Sequence, residues 1–214
     1  MVYQQRAESV IRLSAFASPH FHDLSTEDIT YQLATKTASI WHNMSESPGP
    51  TYVDHKGRTR WHCNDAIAEK LKELYDYLVI GNYEESHAAR YPRLAHTISR
   101  HSESIEEMKA EGRLTSISGV SKVIAQIITE LIETGSCKKM DEGDEYFTPP
   151  PRSVLELTKI KRLGAKTARV LYQDHQIDGL ASLEKALEDG RLAKIKGIGK
   201  GMIATIETHI DEQG

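Results

Sequence analysis

Three short stretches of this chain place a lysine just past a glycine-containing turn, a combination suited to holding a phosphate. They are Leu114-Thr-Ser-Ile-Ser-Gly119-Val120-Ser-Lys122-Val-Ile-Ala125, Leu157-Thr-Lys-Ile-Lys-Arg162-Leu163-Gly164-Ala-Lys166-Thr167-Ala168 and Leu192-Ala-Lys-Ile-Lys196-Gly197-Ile198-Gly199-Lys200-Gly-Met-Ile. Glycine lets the backbone turn through φ > 0 between two helices, while the apolar residue beside it plugs the corner. The turn then presents amide N–H groups at the start of the second helix, where an anion is favoured. Lys122, Lys166 and Lys200 would stand beside that anion. Two of the stretches are basic throughout: Lys159, Lys161, Arg162, Lys166 and Arg169 share an acid-free window, as do Arg191, Lys194, Lys196 and Lys200. Around the first, only Arg113 and Lys122 oppose Glu111. One such corner would read equally well as a plain turn with solvated lysines. A threefold repeat, basic in two copies, points instead to DNA backbone binding, with contacts to phosphates and no base sequence read. The expected contact residues are Gly119, Val120, Lys122, Gly164, Lys166, Thr167, Arg169, Lys196, Gly197, Ile198, Gly199 and Lys200.

The elements that position these corners are helices. Glu111-Gly-Arg-Leu-Thr-Ser-Ile and Asp189-Gly-Arg-Leu-Ala-Lys-Ile repeat one another nearly residue for residue, which marks a duplicated unit. Upstream, Asn64 or Asp65 is expected to cap a helix carrying Ile67, Leu71, Leu74, Tyr75 and Leu78 on one face. Sustained β alternation is absent, so the expected fold is all-α. Four regions follow: an unassigned extension over 1–63, a small helical domain over 64–139, an acidic and then proline-rich linker over 140–151, and a tandem of hairpins over 152–214. Net charge is -4, with 39% hydrophobic and 27% charged residues, a balance too apolar for a disordered chain. The mild acidity argues against a histone-like coat protein but not against a local DNA-binding surface. No apolar run approaches the ~18 residues of a membrane span. The start, Met1-Val-Tyr-Gln-Gln-Arg, lacks the apolar core of a secretion signal, and Cys63 and Cys137 make no disulfide framework. An intracellular location, in cytoplasm, nucleoid or nucleus, is therefore expected.

These residues resemble the helix-hairpin-helix region of family X DNA polymerases, bacterial and archaeal members and polymerase beta included. Asn64-Asp-Ala-Ile-Ala-Glu-Lys-Leu is similar to the opening helix of the small lyase-type domain, and Tyr91-Pro-Arg-Leu-Ala-His-Thr-Ile to a later helix of it. Ile117-Ser-Gly119-Val-Ser-Lys122 matches that domain's hairpin. Leu163-Gly164-Ala-Lys-Thr-Ala-Arg-Val-Leu-Tyr172 and then Lys196-Gly-Ile-Gly199 follow in the family's order. The resemblance implies a polymerase-beta-like helical domain followed by a tandem helix-hairpin-helix module. It also implies a monovalent cation, Na+ or K+, held by the hairpin carbonyls of Lys196 and Ile198 and bridging to a DNA phosphate; no other cofactor is expected. It covers about Asn64 to Ile210 and stops short of the palm with its paired aspartates, so no polymerisation is expected. Where the family places its lyase lysine this chain has Ile127, which cannot form a Schiff base and instead continues an apolar stripe with Val123 and Leu131. Ser86 and His87 stand where the family has basic 5′-phosphate ligands. Two hairpin glycines are replaced, by Ser121 and Arg162.

Other constellations are weaker. His20-Phe-His22-Asp23 and His62-Cys63 lack the companion ligands of a metal site. Trp41, Trp61 and Tyr52 read as packing residues rather than base-stacking platforms, and the face bearing Glu69, Lys70, Lys72, Glu73 and Asp76 as solvated surface. The expected function is structure-selective, sequence-independent binding of gapped, nicked or end-containing duplex DNA by a repair or replication accessory factor, with a polymerase or nuclease acting in trans. Two alternatives stand beside it. One is a 5′-deoxyribose-phosphate lyase using a displaced amine, Lys122 or Lys139. The other is a protein-interaction scaffold.

Overall fold

The structure is a computed structural model and describes residues 50–213. These belong to one compact unit, Pro50–Gly214. The expectations placed on His20, His22, Asp23 and Trp41 lie outside the described residues.

The helical expectation holds for most of this unit, with one correction at its start. A two-stranded antiparallel hairpin, β1 (Thr51–Val53) and β2 (Thr59–Trp61), pairs Thr51 with Trp61 and Val53 with Thr59. Three-residue strands are too short for alternation to register in sequence, and it is the turn that makes them. Asp54 accepts hydrogen bonds from the Lys56 and Arg58 amides and from the Arg58 and Arg60 guanidinium groups. Arg60, itself buried, reaches on to the Ser99 carbonyl at 2.9 Å. Residues 50–63 therefore belong to the packed unit and not to a separate extension.

The central helix, α1 (His62–Ile80), begins three or four residues earlier than expected and has no side-chain cap. Asn64 is turned inward: its amide donates to the Glu103 carbonyl at 2.9 Å and its oxygen accepts from the Ile105 amide at 2.8 Å. Ile67, Leu71, Leu74 and Leu78 are buried as expected, joined by the fully buried Tyr77. Around α1 pack α2 (Glu85–Ala88), α3 (Arg90–Ile98), α4 (Ile105–Ala110), α5 (Lys122–Thr134) and α6 (Lys138–Asp141). Pro92 falls in the first turn of α3, where a missing N–H costs nothing. On α5 the buried stripe is Ile124, Ile127, Ile128 and Leu131; Val123, expected within it, is 70% exposed.

The expected linker is packed rather than free. Met140, Phe147 and Pro150 are buried, the Tyr77 hydroxyl donates to the Pro150 carbonyl, and Phe147 meets Tyr77 and Tyr83 edge-on. Phe147 also lies so close to Gly81 that a Cβ there would collide with its ring. This strap leads into α7 (Val154–Thr158), α8 (Ala165–His175), α9 (Leu180–Glu188) and α10 (Lys200–Asp211). Helices α7 and α8 pack directly on α1, and the Gln173 side chain donates to the Ile80 carbonyl at 3.1 Å. One hydrophobic core consequently runs from Ile67 to Ile206.

Candidate nucleic-acid interface

The three repeated stretches fold into three copies of one corner. In each, an isoleucine carbonyl accepts a hydrogen bond from the amide three residues on: Ile117 from Val120, Ile160 from Leu163 and Ile195 from Ile198, at 3.0 to 3.1 Å. The third turn residue is left-handed each time, with φ +86 at Gly119, +71 at Arg162 and +95 at Gly197. Burial follows the same order: the isoleucine inside, two residues out, the plug residue Val120, Leu163 or Ile198 inside, the next residue out. This is the β-turn with positive φ at its third position, which glycine adopts without steric cost. Arg162 adopts it against the preference of an L residue. The longer repeat also recurs in space. Gly112 and Gly190 are left-handed at φ +69 and +71, each precedes a 3₁₀ turn, and Arg113 and Arg191 fold back onto Glu111 and Asp189 at 2.5 and 2.6 Å.

Residues 154–206 match the SAM-like helix-hairpin-helix tandem family. This stretch is a helix-hairpin-helix tandem. It spans the second and third corners, from α7 to α10, and domains of this kind commonly bind DNA without sequence specificity. No curated protein matches the chain.

Within the tandem the N-termini of α8 and α10 carry no side-chain cap, whereas Ser182 and Glu156 satisfy amides at the start of α9. Gly164 and Gly199 precede α8 and α10 at φ -87 and -89, an extended backbone that any residue adopts, and a Cβ at either would meet nothing within 4 Å. Neither conformation nor packing calls for glycine there. Corner one makes the contrast: Ser121 holds the same place, and its hydroxyl accepts from the Ile124 amide at 3.3 Å. A serine cap supplies internally the acceptor that an anion would otherwise provide. Corners two and three forgo that cap and leave room for an outside acceptor, which fits an approaching phosphate.

The cations divide the same way. Among the described residues, Lys159, Lys161, Arg162, Arg169, Lys194, Lys196 and Lys200 form no ion pair. Outside the tandem most cations are engaged: Arg58 and Arg60 with Asp54, Lys70 with Glu73, Lys72 with Glu69, Lys109 with Glu133, and Arg113 with Glu103 and Glu111. Corner one thus has Lys122 alone beside its turn. Lys166, although expected as a phosphate ligand, lies 2.7 Å from Glu85 on α2. Lys159, Lys161, Arg162 and Lys194, which lie in the acid-free windows but are not among the expected contact residues, are as free of ion pairs as Lys196 and Lys200.

The remaining expected residues fall as follows. Thr167 is half-buried on the first turn of α8. The carbonyls of Lys196 and Ile198 accept no backbone hydrogen bond in their turn, so both have oxygen lone pairs to offer a monovalent cation. Lys139 is held by Asp144 and stacks over the Tyr83 ring at 4.1 Å. Burial opposes its charge, but the bonds to Asp144 and Tyr83 prevail and raise its pKa above that of an ordinary lysine. Ser86 and His87 lie on the short α2. Among the described residues no group of three or more His, Cys, Asp or Glu side chains could hold a metal ion, and no helix is long and apolar enough to cross a membrane.

Proposed function

We propose that this protein grips the phosphate backbone of DNA through corners two and three, without reading base sequence, and prefers a duplex interrupted by a gap, nick or end. The observation that carries this reading is the pairing of uncapped helix N-termini at Gly164 and Gly199 with unpaired cations along both corners. An uncapped N-terminus costs stability that a serine would restore, and an unpaired lysine contributes little to folding. Both features gain a purpose once a polyanion is bound. The principal contacts would be the Lys200, Gly199, Gly164 and Lys166 amides and the side chains of Lys196, Lys200, Arg169 and Lys166. Gly197 and Ile198 would shape the third turn, and carbonyls of Lys196 and Ile198 would hold Na+ or K+ against a phosphate oxygen, neutralising its charge. Gly119, Val120 and Lys122 would add a weaker third contact. A role in DNA repair or replication, beside a polymerase or nuclease, is part of this reading, and the sequence resemblance to family X polymerases is what supports it. The lyase alternative finds less support at Lys139, which its partners hold protonated whereas a Schiff-base lysine must lose its proton, and Ile127 is buried; Lys122 is the amine it would have to use.

The test is fluorescence anisotropy at several salt concentrations on a one-nucleotide-gapped duplex with a 5′-phosphate, against intact duplex and single strand. The expected result is tighter binding to the gap and a log–log salt slope of about -0.9 per phosphate neutralised. Lys200→Glu and Lys166→Glu should weaken binding on all DNA forms and flatten that slope. No binding at low salt, or affinity indifferent to both substitutions, would overturn the reading and turn attention to a protein partner.

A further inference from the structure

Corners two and three share a backbone but differ in what surrounds their leading lysines. Lys200 opens α10 with no carboxylate partner among the described residues. Lys166, in the first turn of α8, is met by Glu85, with Nζ and Oε1 2.7 Å apart. Glu85 comes from α2, far away in the chain, and it faces Arg169 as well, one turn further along α8. The hydrogen bond from Lys166, followed by the charges of Lys166 and Arg169, holds the Glu85 carboxyl below its ordinary range, so it carries its full charge at neutral pH. An anionic oxygen is already on the cation that a phosphate would seek.

We propose that Glu85 is an internal competitor for the phosphate at corner two, so that corner three engages the DNA backbone first and corner two closes on it only as Lys166 exchanges Glu85 for a phosphate. The inference rests on the DNA-binding reading above and adds an order and a regulator to it. Both side chains are largely solvated, at 65% and 42% exposure, so the pair is weak enough for a polyanion to displace. The exchange has a consequence in ion counting. An unpaired lysine that meets DNA releases a condensed counterion outright, whereas Lys166 leaves a bare Glu85 behind that recruits a cation in return. Corner two therefore adds less to affinity and to salt dependence than its charge suggests.

The test is a binding cycle on the gapped duplex with full-length protein: Glu85→Gln, Lys166→Gln and the double variant, with Glu84→Gln and Lys200→Gln as controls. Glu84 carries the same charge one residue away, but its carboxylate accepts from the Ser86 amide rather than from Lys166. Glu85→Gln should tighten binding by about two- to fivefold and steepen the salt slope by about one. Lys166→Gln should cost that same factor more in the Glu85→Gln background than in the native one. If Glu84→Gln tightens binding equally, net charge rather than the pair is at work and the proposal fails. It also fails if Glu85→Gln changes neither affinity nor slope while Lys200→Gln still weakens binding, an outcome that leaves the DNA reading intact. Absence of binding by every form, native protein included, would overturn both.

Discussion

At Arg162 the proposed function and stability would pull in opposite directions. The two sister corners use Gly119 and Gly197 at its position, and all three residues are left-handed. An L side chain in that region costs about 1–2 kcal/mol, part of which glycine returns as unfolded-chain entropy. Arg162→Gly should therefore raise the stability of the protein by about 0.5–1 kcal/mol, measured by urea denaturation. The same change removes an exposed, unpaired guanidinium from the turn and should weaken DNA binding and flatten its salt slope. A variant at once more stable and weaker in binding is what a functional strain predicts; a variant less stable would mean that Arg162 is a structural residue. Among lysines the environment separates the roles just as clearly. Lys139 is spent on Asp144 and Tyr83, whereas Lys200 is spent on nothing within the described residues.

At the scale of elements, the contact between α1 and α7 contains a carboxylate in the wrong solvent. Asp76 lies in a cleft of about 640 Å³ lined by Glu69, Glu73, Arg152, Glu156 and Lys159. Burial, aided by the charge of Glu73, raises its pKa from 3.8 to about 6. The folded protein thus binds this proton more readily than the unfolded chain does. Between about pH 4 and 6 the native state holds more protons, so Asp76 makes stability fall as pH rises through that window, and at pH 7 its charge is a net cost. Asp76→Asn should stabilise the protein at pH 7 by about 1–2 kcal/mol, allowing for partial solvation, and the gain should vanish by pH 4. Paired urea titrations of the native protein and the variant at the two pH values check this; a gain that does not depend on pH would assign it to something other than Asp76 ionisation.

Over the whole molecule, charge is segregated while the core is shared. Residues 152–214 carry 11 Lys and Arg against 9 Asp and Glu, and residues 1–151 carry 16 against 22, so a chain of net charge -4 still has a basic end. Yet the apolar core passes without a break from α1 through the strap of Phe147 and Pro150 to α8 and α10. The tandem and the helices before it should accordingly open together. Native-state hydrogen exchange should give opening free energies for Leu71 and Leu74 on α1 and for Ala168 and Leu171 on α8 that agree within about 0.5 kcal/mol. A value for α8 lower by about 2 kcal/mol or more would show that the tandem unfolds on its own and that 140–151 acts as a linker after all.

Much of this is legible in the sequence, because the determining interactions are local. A left-handed turn residue, an apolar plug three residues past an isoleucine and a following amphipathic helix are all set within about a dozen neighbours, so the corners at Gly119, Arg162 and Gly197 could be read from spacing alone. The same holds for the stripe of Ile67, Leu71, Leu74 and Leu78. Other features depend on contacts between distant residues. Three prolines announce the end of a helix but not that Phe147 and Pro150 would dock onto Tyr77 and Gly81. Asn64 looks like a cap until Glu103 and Ile105 claim its side chain. Val123 has the period of the α5 core, but no neighbouring element covers it. The pairing that matters most for the proposed function, Glu85 with Lys166, joins two helices 81 positions apart. Backbone conformation follows from local sterics and so belongs to the sequence; which cation is free and which is held is decided only when the tertiary structure brings a carboxylate beside one lysine and none beside another.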